Sequence, residues 1–380
     1  MKKESIVSTV FLIIVLAVAI IMGLTVVSDA FQHMYDDEFK MSPVLFTLLV
    51  LFIGFVVNVC LTEVAHIIGA KIGKCKIVSV NLYFFCFKKT KEGRKFAFED
   101  FDGLTGETKI TTTEKSKLNA YVWMPIVVYA FELALCIVLY TMGQTAARGT
   151  ALRWVGIAAL LWIILSSILF LYDFIPVRLD TMNDGYRLSL LTKPENAKAL
   201  LQYMNYQGEI SYNEQPKELE FFEEITDFTA GINLEAIEQQ ILLKNNQKAR
   251  EMLDKLLASK DKIDPFIVKQ VVAQDLFVKL MEEPLEDVKK YYEESVGNDA
   301  RKFISNDGNV SSLRVYSLIA GLIDNSRFEV QYALSKREKA YKRCPKHHLE
   351  AEKQLFHEVI EKIKSAHPDW KENEQEKGIR

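Results

Sequence analysis

Apolar and polar positions follow three different rhythms along this chain. Four long apolar runs come first. Ile6–Val27 and Pro43–Leu61 carry no charge, Ala120–Met142 carries one acid, Glu132, and Trp154–Tyr172 stays uncharged up to Asp173. Runs of about 20 apolar residues can cross the hydrocarbon core of a bilayer as helices. Lys2 and Lys3 imitate the start of a signal peptide, but the apolar stretch behind them exceeds the usual core of one, so an uncleaved anchor is expected. Between the second and third runs the period shortens to two. Val78–Phe87 (VSVNLYFFCF) is rich in β-branched and aromatic residues, Lys88–Arg94 is polar, and Lys95–Phe101 spaces Phe96, Phe98 and Phe101 mainly by two. This predicts a β hairpin. Its aromatics have two readings, as cover for a small sheet or as groups that dip into the membrane surface. From about residue 195 the apolar positions recur at three and four, which predicts helices over Leu234–Ile241, Ala249–Leu257, Pro265–Met281, Leu285–Val296, Leu313–Ile323, Phe328–Tyr341 and Leu349–Ile363. Short helices with short polar links suit an α-solenoid, tetratricopeptide-like in Ala333, Ala340, Tyr341 and Pro345, or a plain helical bundle; no period repeats cleanly.

The expected fold class is therefore mainly α: a polytopic membrane protein with about four transmembrane helices, a small β hairpin between spans two and three, and an α-helical cytosolic domain. The expected division is an N-terminal membrane anchor and outer loop over 1–42, a membrane core over 43–190 and the helical domain over 191–380.

Charge sharpens this division. Residues 1–177 contain 16 Lys/Arg and 14 Asp/Glu, whereas residues 178–380 contain 31 and 36. One half is oily and the other has the charge density of a soluble domain, which excludes a single soluble globule and a disordered chain. Five cysteines without a CxxC pair exclude a disulfide scaffold or zinc finger. A net charge of −3 gives no reason to expect nucleic acid as a partner. Loop charges set the orientation. The segment 71–118 holds eleven Lys/Arg and is expected in the cytoplasm, while 29–42, with Asp29, Asp36, Asp37 and Glu38 against Lys40, suits the outer side. Four spans then leave both termini and the helical domain cytoplasmic.

Candidate chemistry lies at the cytoplasmic end of span two, where Thr62-Glu63-Val64-Ala65-His66 continues the apolar run. Ionisable groups at membrane depth are costly and usually face an interior or cavity. A metalloprotease helix reads H-E-x-x-H: two histidines four apart share one face and hold zinc, and the glutamate activates water. Here the glutamate and second histidine stand, and Thr62 occupies the first position. Span four ends Tyr172-Asp173-Phe174-Ile175-Pro176, and Asn183-Asp184-Gly185-Tyr186-Arg187-Leu188 follows.

With these residues in place, the chain resembles the site-2 protease family of intramembrane zinc metalloproteases over about residues 43–190. In that family a helix carries HExxH, a basic and partly re-entrant β segment follows, and a later helix ends in N-x-x-P ahead of an Asp-Gly. Here TEVAH leads into IIGAKIGKCKIVSVNLY, which is similar to the family's run after its second histidine. Asp184–Leu201 also resembles the region after the Asp-Gly in bacterial members with a helical cytosolic tail, which implies a multi-pass protein of the bacterial cell membrane. The resemblance implies His66 and Asp184 as zinc ligands and Glu63 as general base. It also places Thr62 at a missing ligand and Asp173 where the family has asparagine.

Catalytic zinc normally keeps three protein ligands and one open position. A neutral threonine hydroxyl is a poor substitute, so the expected protein is a degenerate relative: a pseudoprotease that binds membrane clients or protein partners, zinc being its cofactor only if the site functions. The alternative is an active zinc metalloprotease cleaving transmembrane or membrane-released peptides, with Asp173 as replacement ligand or Thr62 positioning a water. A blander third class is a membrane-anchored scaffold with an inert core. Asp173 and Asn58 are candidate substrate-binding groups; Asn58 either orients Glu63 or binds a neighbouring helix. Glu132 is expected to hydrogen-bond between helices. Asp180 competes with Asp184 but lacks the following glycine. His347, His348 and His357 lie in the soluble half and are expected as exposed helix-surface histidines, with a metal site as the alternative reading. The expected partners are the lipid bilayer, a transmembrane or peptide client, and a protein on the helical domain.

Overall fold

A computed structural model describes residues 41–90, 93–98, 106–113, 117–176, 182–211 and 216–370, with parts of 10–32. Lys2, Lys3, Asp180 and most of the loop 29–42 lie outside these residues, as does part of the expected first span. Over its described residues Leu16–Val26 is apolar and helical. The chain forms two compact units, Met1–Glu214 and Gln215–Arg380.

Among the described residues, three helices of the first unit are long and apolar enough to cross a membrane: α1 (Pro43–Ile72), α2 (Leu118–Thr145) and α3 (Ala151–Phe174), with mean hydropathies of 2.8, 2.3 and 2.4. Pro43 opens α1 at a position where its missing N–H costs nothing, and Gly73 closes it. At 1.5 Å per residue α1 is about 45 Å long, longer than the ~30 Å hydrocarbon core. Its two ends differ accordingly. Val44, Leu45, Leu48 and Phe52 are exposed, whereas Glu63, Ala65, His66, Gly69 and Ala70 are buried. Gly69 permits this, since a Cβ there would lie 2.5 Å from the Ala120 carbonyl oxygen of α2. Glu132 of α2 accepts from Trp162 Nε1 and, at 2.9 Å, from Ser166 Oγ of α3, the interhelical role its isolation in an apolar span suggests.

The expected hairpin is a four-stranded antiparallel sheet of order β3-β2-β1-β4. The run read as one strand turns at Tyr83-Phe84, where Tyr83 adopts a φ of 54°. This separates β1 (Lys76–Leu82) from β2 (Phe85–Thr90), which pairs with β3 (Gly93–Phe98); β4 (Gly106–Thr111) closes the other side of β1. Periodicity missed the break because a left-handed residue leaves the alternation of apolar types intact. Phe85 faces Phe98 and Phe87 faces Phe96 across the β2–β3 ladder, all four exposed, while Cys86 between them is buried on the opposite face.

Two shorter helices complete the unit, α4 (Asp184–Leu191) and α5 (Pro194–Ser211). Asn205 of α5 accepts from Thr112 N and Oγ1 at 2.5 and 3.1 Å, and a Cβ on Gly208 would lie 2.3 Å from Thr111 Cγ2. This close seating on the sheet keeps α5 with the membrane unit, so the division falls at Glu214/Gln215 rather than at 190/191.

The second unit is helical: α6 (Asp227–Leu242), α7 (Asn246–Ala258), α8 (Pro265–Glu282), α9 (Leu285–Ser295), α10 (Asn298–Asn306), α11 (Val310–Leu318), α12 (Arg327–Arg343) and α13 (Leu349–Ala366). Local signals set the boundaries. Thr226 and Thr229 form a capping box for α6, Asp264 caps α8 ahead of Pro265, and Ser326 caps α12. The short α10 escaped the periodicity reading, being nine residues long with two buried positions, Ala300 and Ile304. α8 packs against α6, α7, α9, α10 and α11 as a central helix, and α13 packs back on α6. Lys244 Nζ–Glu358 Oε1, 2.5 Å apart, joins the end of α6 to α13. An open stack of repeats touches only neighbours; this closure is nearer to a bundle.

Candidate functional site

The site is assembled from α1, β4, α2, α3 and α4. Glu63 and His66 lie three apart on α1 and share its buried face. Asp184 opens α4, and Asn183 just before it sets the angle of the chain. The Asn183 Oδ1 caps Tyr186 N at 2.9 Å, and its Nδ2 donates to the carbonyls of Tyr172 and Ile175, both at 2.9 Å. Gly185 is required here because a Cβ would lie 2.1 Å from the Phe174 carbonyl oxygen. Together these contacts lock the start of α4 against the end of α3 and aim Asp184 at α1.

His66 Nε2 lies 3.1 Å from Asp184 Oδ2, and Arg187 Nη1, one helical turn on, lies 2.9 Å from Asp184 Oδ1. Burial alone would raise the Asp184 carboxyl, but His66 and Arg187 outweigh it and hold the group below the ordinary carboxylate range. His66 stacks on Tyr121 with ring centroids 4.6 Å apart. The Tyr121 hydroxyl donates to the Thr108 carbonyl at 2.8 Å, and the Thr108 hydroxyl donates to Glu63 Oε2 at 2.5 Å. Gly106 admits the Glu63 carboxyl to the strand, since a Cβ there would lie 2.8 Å from both Glu63 Cγ and Oε1. Six side chains from four elements thus form one closed polar network beside apolar spans.

Glu63, His66 and Asp184 are therefore brought together, and Asp184 rather than the undescribed Asp180 fills the role. Asp173 is adjacent, its Oδ1 3.3 Å from the Asp184 amide. Thr62 and Asn58 take no part. The Thr62 hydroxyl donates to Asn58 O and the Asn58 amide to Gly54 O, both at 3.0 Å and both along α1 itself. Neither reading of Asn58, as an orienter of Glu63 or as a bridge to another helix, describes this bond, because a polar side chain in an apolar helix finds its own carbonyl one turn back most easily. Thr108, Tyr121 and Arg187 went unassigned in the sequence. Only Arg187 left a signal there, an opposite charge at i+3 from Asp184 on a helix.

The retained residues do not fit a three-ligand catalytic zinc. His66 and Asp184 are the two candidate ligands, and Arg187 occupies the second Asp184 oxygen. Thr62 is turned back on its helix, its hydroxyl donating to Asn58 O. Among the described residues, the place where three ligating atoms converge within 4.8 Å is in the other unit, at Glu235, His347 and His348. Burial lowers both of those imidazoles to about 4, helped by His348 at His347 and by Arg314 at His348.

No family model matches the chain, and neither a curated protein nor a solved structure matches it.

Proposed function

We propose that this chain is a site-2-protease-like membrane protein whose zinc centre has degenerated, a pseudoprotease that holds a membrane client instead of cutting it. The observation that carries this reading is the pairing of Asp184 with His66 at 3.1 Å and with Arg187 at 2.9 Å while Thr62 bonds back to its own helix. The residues that would hold a metal face each other, and Arg187 takes the other Asp184 oxygen. The supporting sequence is the order TEVAH, basic β segment, apolar helix, Asp-Gly. The client is a transmembrane or membrane-released peptide lying beside the Thr62–His66 end of α1 and the exposed Phe85, Phe87, Phe96 and Phe98. The helical unit holds a protein partner. With the basic segment 71–118 inside, three spans carry the helical unit to the cytoplasm of a bacterial cell, and an N-terminal span returns the other terminus there.

The test uses full-length protein in lipid nanodiscs with zinc supplied and a synthetic single-span peptide as client. A photo-crosslinking residue replacing Thr62 is expected to trap the peptide well above the level from a lipid-facing control at Val44, with no cleavage. Equal trapping at both positions overturns client binding. Zinc-dependent cleavage that disappears in Glu63→Gln overturns the pseudoprotease and makes the chain an active metalloprotease.

A further inference from the structure

The helical unit carries a second cluster that the reading above does not use. Glu235 lies on α6. His347 and His348 lie in the turn that Pro345 begins, where His348 N donates to Pro345 O at 3.0 Å and His348 then starts α13. The two rings sit 4.0 Å apart and are tilted by 56°, so adjacent residues present their nitrogens to one space instead of to opposite sides. His348 Nε2 is 3.8 Å from Glu235 Oε1, with the histidine side chain only 11% exposed. One ligand atom from each of the three residues lies within 4.8 Å of the others. Ligands on one zinc ion at about 2.0–2.1 Å sit roughly 3.3 Å from each other in a tetrahedron, so side-chain rotation alone closes the set.

Glu235 and His348 line a cavity of about 300 Å³ whose walls also carry three acids, Glu238, Glu352 and Asp307, and one base, Arg343. Arg314 faces the same region, but it is committed to Glu352 Oε2 at 2.5 Å and Gln274 Oε1 at 3.1 Å. Two imidazoles and one carboxylate suit a borderline transition metal, where magnesium or calcium would take oxygen donors throughout.

We propose that Glu235, His347 and His348 form a transition-metal site of the zinc class, with its remaining coordination position open to the cavity. The metal pins the start of α13 to α6, two elements far apart in sequence that the Lys244–Glu358 pair also joins. The site is independent of the membrane cluster and stands whether or not that cluster binds metal.

Untagged full-length protein in detergent, stripped with chelator, is titrated with Co²⁺ and then Zn²⁺. One equivalent of Co²⁺ is expected, with ligand-field bands of a four- or five-coordinate ion, displaced by Zn²⁺. Glu235→Gln and His348→Ala each weaken binding by more than ~100-fold, beyond what loss of an outer hydrogen-bond partner costs. His66→Ala and Asp184→Ala leave the titration unchanged. Because His348→Ala also alters a helix start, the near-isosteric Glu235→Gln carries a second readout: free Zn²⁺ at 100 times Kd raises the unfolding midpoint of the helical unit by roughly 5–10 °C in wild type and not in this variant. No uptake by wild type, uptake undiminished in Glu235→Gln and His348→Ala, or uptake lost in His66→Ala overturns the proposal.

Discussion

The chain buries a histidine beside carboxylates in two places, and the two clusters are built differently. At the membrane cluster an arginine, Arg187, binds one oxygen of the carboxylate whose other oxygen faces His66. In the helical unit Arg314 is held by Glu352 and Gln274, and one ligand atom from each of Glu235, His347 and His348 lies within 4.8 Å of the others. In the cluster with a protease-like motif an arginine thus occupies a candidate ligand, and the cluster without a motif has the geometry of a ligand set. The difference teaches that spacing along a helix identifies candidate ligands, while the partner of each candidate's remaining lone pair decides whether it can act as one.

Both arginines neutralise a buried acid, and substitutions that remove them separate the two regions. The largest effect is expected from Arg314→Met. Arg314 is wholly buried, and Glu352 would be left charged beside Glu238 in the same cavity. Breaking such a pair costs about 3–5 kcal/mol. Hydrogen exchange should show α11 and α13 losing protection together, and unchanged protection would mean that the pair does not hold the unit. Arg187→Met is expected to cost less, about 1.5–3 kcal/mol, because Asp184 keeps His66 as a partner. Exchange in α4 reads this, and a loss as large as that of Arg314→Met would break the comparison. Gly106→Ala should cost about 1–3 kcal/mol by overpacking against Glu63 and the Asn81 carbonyl. The same substitution in a lipid-free stretch such as Gly297, where a Cβ meets nothing within 4 Å, should not destabilise, which thermal unfolding of both variants checks. Smallest is Lys244→Ala, which removes a half-exposed pair with Glu358 and should shift stability by less than ~1 kcal/mol.

How far the sequence alone could be read follows from the range of the forces involved. The spans were legible because each is a continuous apolar run, and Glu63 and His66 because helical spacing puts them on one face. Asp184 was reached through family resemblance, its contact with His66 spanning more than a hundred residues with no local mark. Thr108 and Tyr121 could not be found, because they enter the site through sheet register and helix packing, for which a threonine in a strand and a tyrosine in a span give no sign. The β1–β2 turn was hidden by the left-handed Tyr83, and β4 by its mostly polar sequence, GETKIT. His347 and His348 were seen but read as surface residues, since the turn at Pro345 that carries them onto α6 is a tertiary feature.

The central claim is that the membrane cluster no longer holds catalytic zinc. Its most direct test is the zinc content of full-length His347→Ala/His348→Ala protein, purified gently with zinc supplied, so that the helical unit contributes no metal. The account predicts no zinc beyond background. One equivalent of zinc that disappears on adding His66→Ala or Asp184→Ala would contradict it.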